Sequence, residues 1–312
     1  MLFAVAALIT GACNGGSSAS SAGDRTHPKA GDVFLEPLDE VATGAFGPSV
    51  ALAAVPAISG GGVNGGSSTQ VLRSVAGTTS GLYAGSASQQ PCDAATGASA
   101  LADHPANAQA WVDALNGDAD LSFSGGSKLA VEDISTYVGE LTSVILQSDT
   151  RVTDHIVAGG HADAFQAVLQ RGSAVMVDTL GVPRVRCASF SPLTAPTPAS
   201  SPKYRGKKWT GFDPTKLLAV TPGDHEVDSF RVVEIHTRKS IKIPVGSTGP
   251  QSSITTTTIE FSDTTTTSKT AKTTTTTTKK PTTTTTAHAA TTTSTTHATT
   301  TSSTVPATTS TT

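Results

Sequence analysis

The sequence predicts an α+β fold: a small helical layer packed on a mainly antiparallel sheet, followed by a disordered threonine-rich tail. Three observations predict it. Apolar side chains recur at helical spacing between Pro105 and Leu141, then with a period of two from Val144 onward. Helices grouped ahead of strands point to α+β rather than to alternating βαβ units. Threonine then takes over, supplying 33 of the 62 residues from Gln251 to Thr312, with almost no large apolar side chain after Phe261. Such a segment cannot bury enough surface to offset the entropy of ordering it.

The chain begins MLFAVAALITGAC, an uncharged apolar run that ends on Cys13. It falls short of the about 20 apolar residues that a bilayer span needs and suits the apolar core of a secretory signal. Thr10-Gly11-Ala12-Cys13 resembles a bacterial lipobox, whose cysteine is diacylated once the signal is cut. Residues 1–12 are therefore expected to be a lipoprotein signal peptide, Cys13 the lipidation site, and the Gly/Ser-rich residues 13–30 a flexible tether. A short buried helix with an incidental cysteine is the alternative.

Residues 31–76 hold a strand at Asp32–Leu38 and a glycine-rich loop at Gly60–Ser68. The α+β core is placed at 77–191. Helix signals follow Cys92, and Pro105 sits where a first-turn proline is welcome. Ala108, Trp111, Val112 and Leu115 then repeat at i, i+3, i+4 and i+7 until Asn116-Gly117 ends the helix. Ile134, Tyr137, Val138 and Leu141 give a second face of the same spacing. Strands are expected at Val144–Leu146, Thr150–His155, Phe165–Gln170 and Ala174–Val177, and at Val182–Cys187 after a turn across Asp178–Gly181. Residues 192–202 read as a Pro-rich linker. Residues 203–246 read as a β-rich continuation, with strands at Leu217–Val220, Phe230–Ile235 and Ile241–Val245. Its first stretch, KYRGKKW (Lys203–Trp209), reads as a linker lined with solubilising charge, or else as a site for anionic polymer or single-stranded nucleic acid. Residues 247–312 form the stalk, whose composition resembles that of O-glycosylated segments.

A net charge of −3 and a pI near 6.2 argue against a nucleic-acid binder built on phosphate contacts. The chain has 3 cysteines. With Cys13 lipidated, Cys92 and Cys187 remain as an even pair, which in an exported protein reads as one disulfide. Separately buried thiols, or a bridge to another chain, are the alternatives.

The richest cluster of chemistry is Asp149, Asp154, His155, His161 and Asp163. Imidazole and carboxylate together suit acid–base work or a transition metal, so His155 with Asp149 or Asp154 is the candidate catalytic set and His155, His161 and Asp163 the candidate metal set. The spacing matches no established metal motif. On a strand His155 points away from Asp154; the plainer reading is a polar network in which Asp149 pairs with Arg151. Arg184 and Arg186 share one strand face and are candidate anion binders, or else a solvated face. There is no GxSxG, HExxH or Walker-type loop.

Several segments carry a resemblance: GLYAGS (Gly81–Ser86), Cys92-Asp93, YVGELTSVILQSDTRVTDH (Tyr137–His155), FQAVLQRGSAVMVD (Phe165–Asp178), GVPRVRC (Gly181–Cys187), WTGFDPTK (Trp209–Lys216) and IPVG (Ile243–Gly246). Together they resemble the domain-of-unknown-function 6777 family of actinobacterial lipoproteins and membrane-anchored exported proteins. Ser189 stands where that family carries a second cysteine. The resemblance implies an exported compartment and one fold unit, and it implies no activity. The expected function is a non-catalytic lipoprotein that binds or scaffolds at the outer face of the membrane, with no cofactor. Its expected partners are the membrane, through the N-terminal lipid, and a wall polymer or envelope protein, with no nucleic acid. An envelope enzyme and a metal-binding lipoprotein are the alternatives.

Overall fold

The computed structural model describes residues 25–38, 43–52 and 72–246. Cys13 and its lipobox, most of the tether, the Gly60–Ser68 loop and the threonine-rich stalk lie outside the described residues. Within them the chain runs β1 (Asp32–Glu36), β2 (Arg73–Ala76), β3 (Tyr83–Gly85), α1 (Ala94–Ala102), α2 (Pro105–Asn116), α3 (Ile134–Glu140), β4 (Thr142–Leu146), β5 (Thr150–Ala158) and β6 (His161–Leu169). It continues through β7 (Ala174–Val177), β8 (Pro183–Arg186), β9 (Ser191–Pro192), β10 (Lys203–Arg205), β11 (Leu218–Thr221), β12 (Ser229–Glu234) and β13 (Ser240–Pro244). The fold is α+β, with a sheet-rich core.

The strands form two sheets rather than the one expected. The first has the order β10-β1-β6-β5-β11-β2 and the second β13-β12-β3-β4-β7-β8-β9. Strands joined by short connections pair antiparallel, as β5 with β6 and β7 with β8. Among strands that meet from remote parts of the chain, β3 with β4 is antiparallel, while β1 with β6 and β10, β11 with β5 and β2, and β12 with β3 run parallel. Parallel pairing needs a crossover rather than a hairpin, so no local pattern announces it.

Three apolar layers follow. Between the sheets, Phe34, Val152 and Phe165 of the first meet Val144, Val175, Phe230 and Ile243 of the second. The helices cover the other face of the second sheet, where Trp111, Leu115 and Tyr137 pack with Met176, Val185 and Cys187. On the outer face of the first sheet, Val33, Leu35, Val168 and Leu217 lie under Tyr204, Trp209 and Phe212. The KYRGKKW stretch is therefore no charged linker. Lys203–Arg205 pairs with β1, and Trp209 donates its indole N–H to Asp149 at 3.0 Å.

Cys92 and Cys187 form the expected disulfide, with 5.9 Å between their Cα atoms. It joins the residue just ahead of α1 to the end of β8. Helix α1 starts because Asp93 caps it, accepting the Thr96 N–H at 3.0 Å. It then crosses over the Phe190 ring at Gly97, where a Cβ would lie 2.0 Å from the nearest ring atom.

Candidate functional site

The alternation along β5 sends Asp154 between the sheets and His155 to the other face. Between the sheets, Arg186 of β8 meets Glu36 of β1 at 2.7 Å and Asp154 at 3.3 Å. Arg25 also reaches Glu36, at 2.9 Å. Asp154 accepts from the Ser191 hydroxyl at 2.6 Å and from the backbone N–H of His155 at 2.8 Å. Burial pushes its carboxyl pKa up, against the opposing pull of Arg186. The His155 ring sits 2.8 Å from the carbonyl of Pro192. That oxygen can only accept, so Nδ1 carries the proton, and burial lowers the ring's pKa.

Arg184 is equally committed. It donates to Asp178 and Asp118, both at 2.7 Å, and to the Asp120 carbonyl at 2.9 Å. Arg184 and Arg186 are 0% and 2% exposed. The expected anion clamp, or solvated face, is thus a pair of separate internal ion networks: the register shifts between β7 and β8 at Met176/Val177, so that Arg186 meets Glu36 and Asp154 of the first sheet while Arg184 meets Asp118 and Asp120 of the segment after α2.

The remaining candidates do not converge. Asp149 accepts the Arg171 backbone N–H at 2.8 Å and the Trp209 indole, while Arg151 donates to Gln166 and to the Thr197 carbonyl. The expected Asp149–Arg151 pair is not made. In the β5–β6 register His161 lies opposite Ala158 and Asp163 opposite Ile156, which puts both on the face away from His155. Neither the acid–base pair nor the metal set is assembled. Among the described residues no group of three or more His, Cys, Asp or Glu is placed to hold a metal ion.

A cavity of about 490 Å³ opens instead at the end of α3, a site the sequence reading missed. Phe123 and Gly126 close a tight turn through reciprocal backbone bonds of 3.0 and 2.9 Å. Glu140, the last residue of α3, holds that turn by accepting the Ser124 N–H at 3.0 Å and its hydroxyl. The Phe123 ring meets Tyr137 edge-on, at 5.8 Å between centroids. Tyr137 lines the cavity and is 1% exposed, yet its hydroxyl has no hydrogen-bond partner among the described residues. Burial raises its pKa far above the ordinary phenol value, so it stays neutral.

Asp178 forms part of the floor and binds Arg184 together with the N–H groups of Leu180 and Val182; burial raises its pKa. Glu226 stands exposed in the lining, with no side-chain partner among the described residues, and Leu141 and Val245 add apolar wall. Every ionisable acid or base in the lining, Tyr137 apart, is a carboxylate: Glu140, Asp178 and Glu226. Only Asp178 had drawn notice in the sequence, as a turn residue. The readable signal was a glutamate closing an apolar helix face opposite an FSGG turn.

A family model, the domain of unknown function DUF6777, matches residues 73–246, more than half of the chain. The match runs from β2 past the end of β13 and takes in every residue that lines the cavity. No curated protein and no solved structure matches the chain.

Proposed function

This chain belongs to the DUF6777 family, and from that premise we propose that it is a non-catalytic binding protein of the cell envelope. In this reading residues 1–12 direct export, a lipid on Cys13 holds the protein at the outer face of the cytoplasmic membrane, and the threonine-rich residues 247–312 extend as a stalk. The cavity at the end of α3 carries the reading. It is of a size typical of small-molecule sites, which run from about 300 to 1,000 Å³, whereas the side chains best suited to catalysis are held in internal networks. His155 is bound to a backbone carbonyl and Asp154 to Arg186 and Ser191. The lone cysteine in a lipobox-like setting, followed by a Gly/Ser tether, supports the anchor.

The test is fractionation of the full chain expressed in an actinobacterial host. Wild type should partition into detergent with a lipid adduct on Cys13, because two acyl chains hold a protein at a membrane where one binds only marginally. Cys13→Ser should be released or accumulate uncut. Membrane partitioning that survives the substitution, with no adduct on wild type, overturns the anchor.

A further inference from the structure

We propose that the cavity at the end of α3 binds an organic ammonium group carried on a short alkyl chain. The inference rests on the reading of the protein as a binding protein and names the ligand class for that site. Charge is the first reason. Glu140, Asp178 and Glu226 line the cavity and no lysine or arginine does. The nearest buried cation, Arg184, is already shared between Asp118 and Asp178. An anionic ligand would meet uncompensated repulsion here, and a cation would be attracted.

The second reason is independent of the first. Tyr137 lines the cavity and carries a buried, neutral hydroxyl with no partner among the described residues. Buried polar groups are nearly always hydrogen-bonded, so an orphan at a cavity wall marks the place of a missing partner. A phenol oxygen accepts an N–H, and an ammonium offers three. Glu140 keeps acceptor capacity after its two bonds to Ser124, since a carboxylate has about four lone-pair sites.

The walls fit the rest of such a ligand. The Phe123 ring provides a π face for a cation, and Leu141 and Val245 provide apolar surface for methylenes. A bare metal ion suits the site less well, since the carboxylates do not form a ligating group of three. The ammonium could be a free amine or a lysine side chain on a peptide.

Titration calorimetry of the full chain at low salt tests this. Cadaverine should bind, while pentanol, hexanoate and N-acetylglucosamine should not. Glu226→Gln should weaken cadaverine binding about tenfold, as expected for loss of a charged hydrogen-bond partner, and the exposed position keeps the fold intact. Tyr137→Phe should also weaken binding without lowering the unfolding midpoint, because the hydroxyl it removes has no partner among the described residues. Stronger binding of the tripeptide Ala-Lys-Ala than of cadaverine identifies a peptide source. Absence of ammonium-specific binding, preference for the sugar or the anion, or full affinity in both cavity variants overturns the proposal. These outcomes are separate from the fractionation of Cys13→Ser: a membrane-anchored chain that binds no ammonium loses this inference alone, and an unanchored chain that binds cadaverine loses the envelope reading alone.

Discussion

Arg186 alternates with Val185 and Cys187 along β8, as simple strand periodicity predicts, but the register shift between β7 and β8 sends Arg184 to Asp118 and Asp120 instead of to the face that Arg186 shares with Glu36 and Asp154. The partners that bury them come from β1 and β5 for Arg186 and from the segment after α2 for Arg184, all far away in sequence, so the burial of both guanidiniums was not legible. Arg186→Ala should cost about 3–5 kcal/mol in urea denaturation, the range for removing one partner of a buried pair. Arg25 still reaches Glu36 in that variant, so Asp154 bears most of the loss. Arg186→Met, which keeps the volume, should lose as much; recovery of stability there would show that packing rather than charge matters. His155 gives a pH signature. Burial lowers its pKa below the ordinary 6.5, so the folded protein holds it neutral. Its contribution is present above the unfolded value and is lost as pH falls toward the depressed folded value, because the unfolded chain takes up the proton first. The slope is at most about 1.4 kcal/mol per pH unit. Urea midpoints should therefore fall on acidification from about pH 7.5 to 5, and His155→Gln should remove that part of the fall. The carboxyls of Asp149, Asp154 and Asp178, raised by burial, contribute in the opposite sense as pH drops through the carboxylate range, which is why the variant comparison is needed. Tyr137 was readable as a core side chain from its spacing; that its hydroxyl lacks a partner depends on residues no local pattern connects.

Helices α2 and α3 and the longer strands were legible because each shows several repeats of its period. Helix α1 was not located, since AATGASALA buries only Ala94, Gly97, Ala98 and Leu101 and offers no stripe of large side chains. Its small residues answer to a close crossing. Phe190 adopts a φ of 51°, stacks on Trp111 at 6.2 Å and accepts the Trp111 indole N–H through its carbonyl at 3.1 Å. Gly97 is what lets α1 lie on that ring. Gly97→Ala should gain about 1 kcal/mol of helix propensity, but the ring is fixed on its other face by Trp111. Overpacking of about 1–3 kcal/mol, toward the upper end for so short an approach, should win. The thermal midpoint should drop; a rise would mean that α1 shifts freely away from Phe190. Strands β2, β3, β9 and β10 are too short to display a period, and their pairings come from the remote segments they meet.

The matched family segment ends at Gly246, and Gln251–Thr312 carries almost no large apolar side chain after Phe261. Deleting Gln251–Thr312 should therefore change the urea midpoint by no more than an ordinary surface substitution does, within about 0.5 kcal/mol. A large loss would show that the tail contributes to the core. The strand order has a kinetic consequence. Among the described residues β1 lies between β6 and β10, β2 pairs with β11 alone, and β3 has β12 on one side. Contacts of such long sequence separation slow folding, and none of these neighbours exists when β1 leaves the ribosome. At roughly 5–20 residues per second, synthesis takes on the order of 10–40 s to pass from β1 to the end of β11. Throughout that interval both sheets lack closing strands, so the nascent chain stays an open thread. A secretion channel accepts that form, and the proposed export would begin while the strand order still keeps the domain from closing.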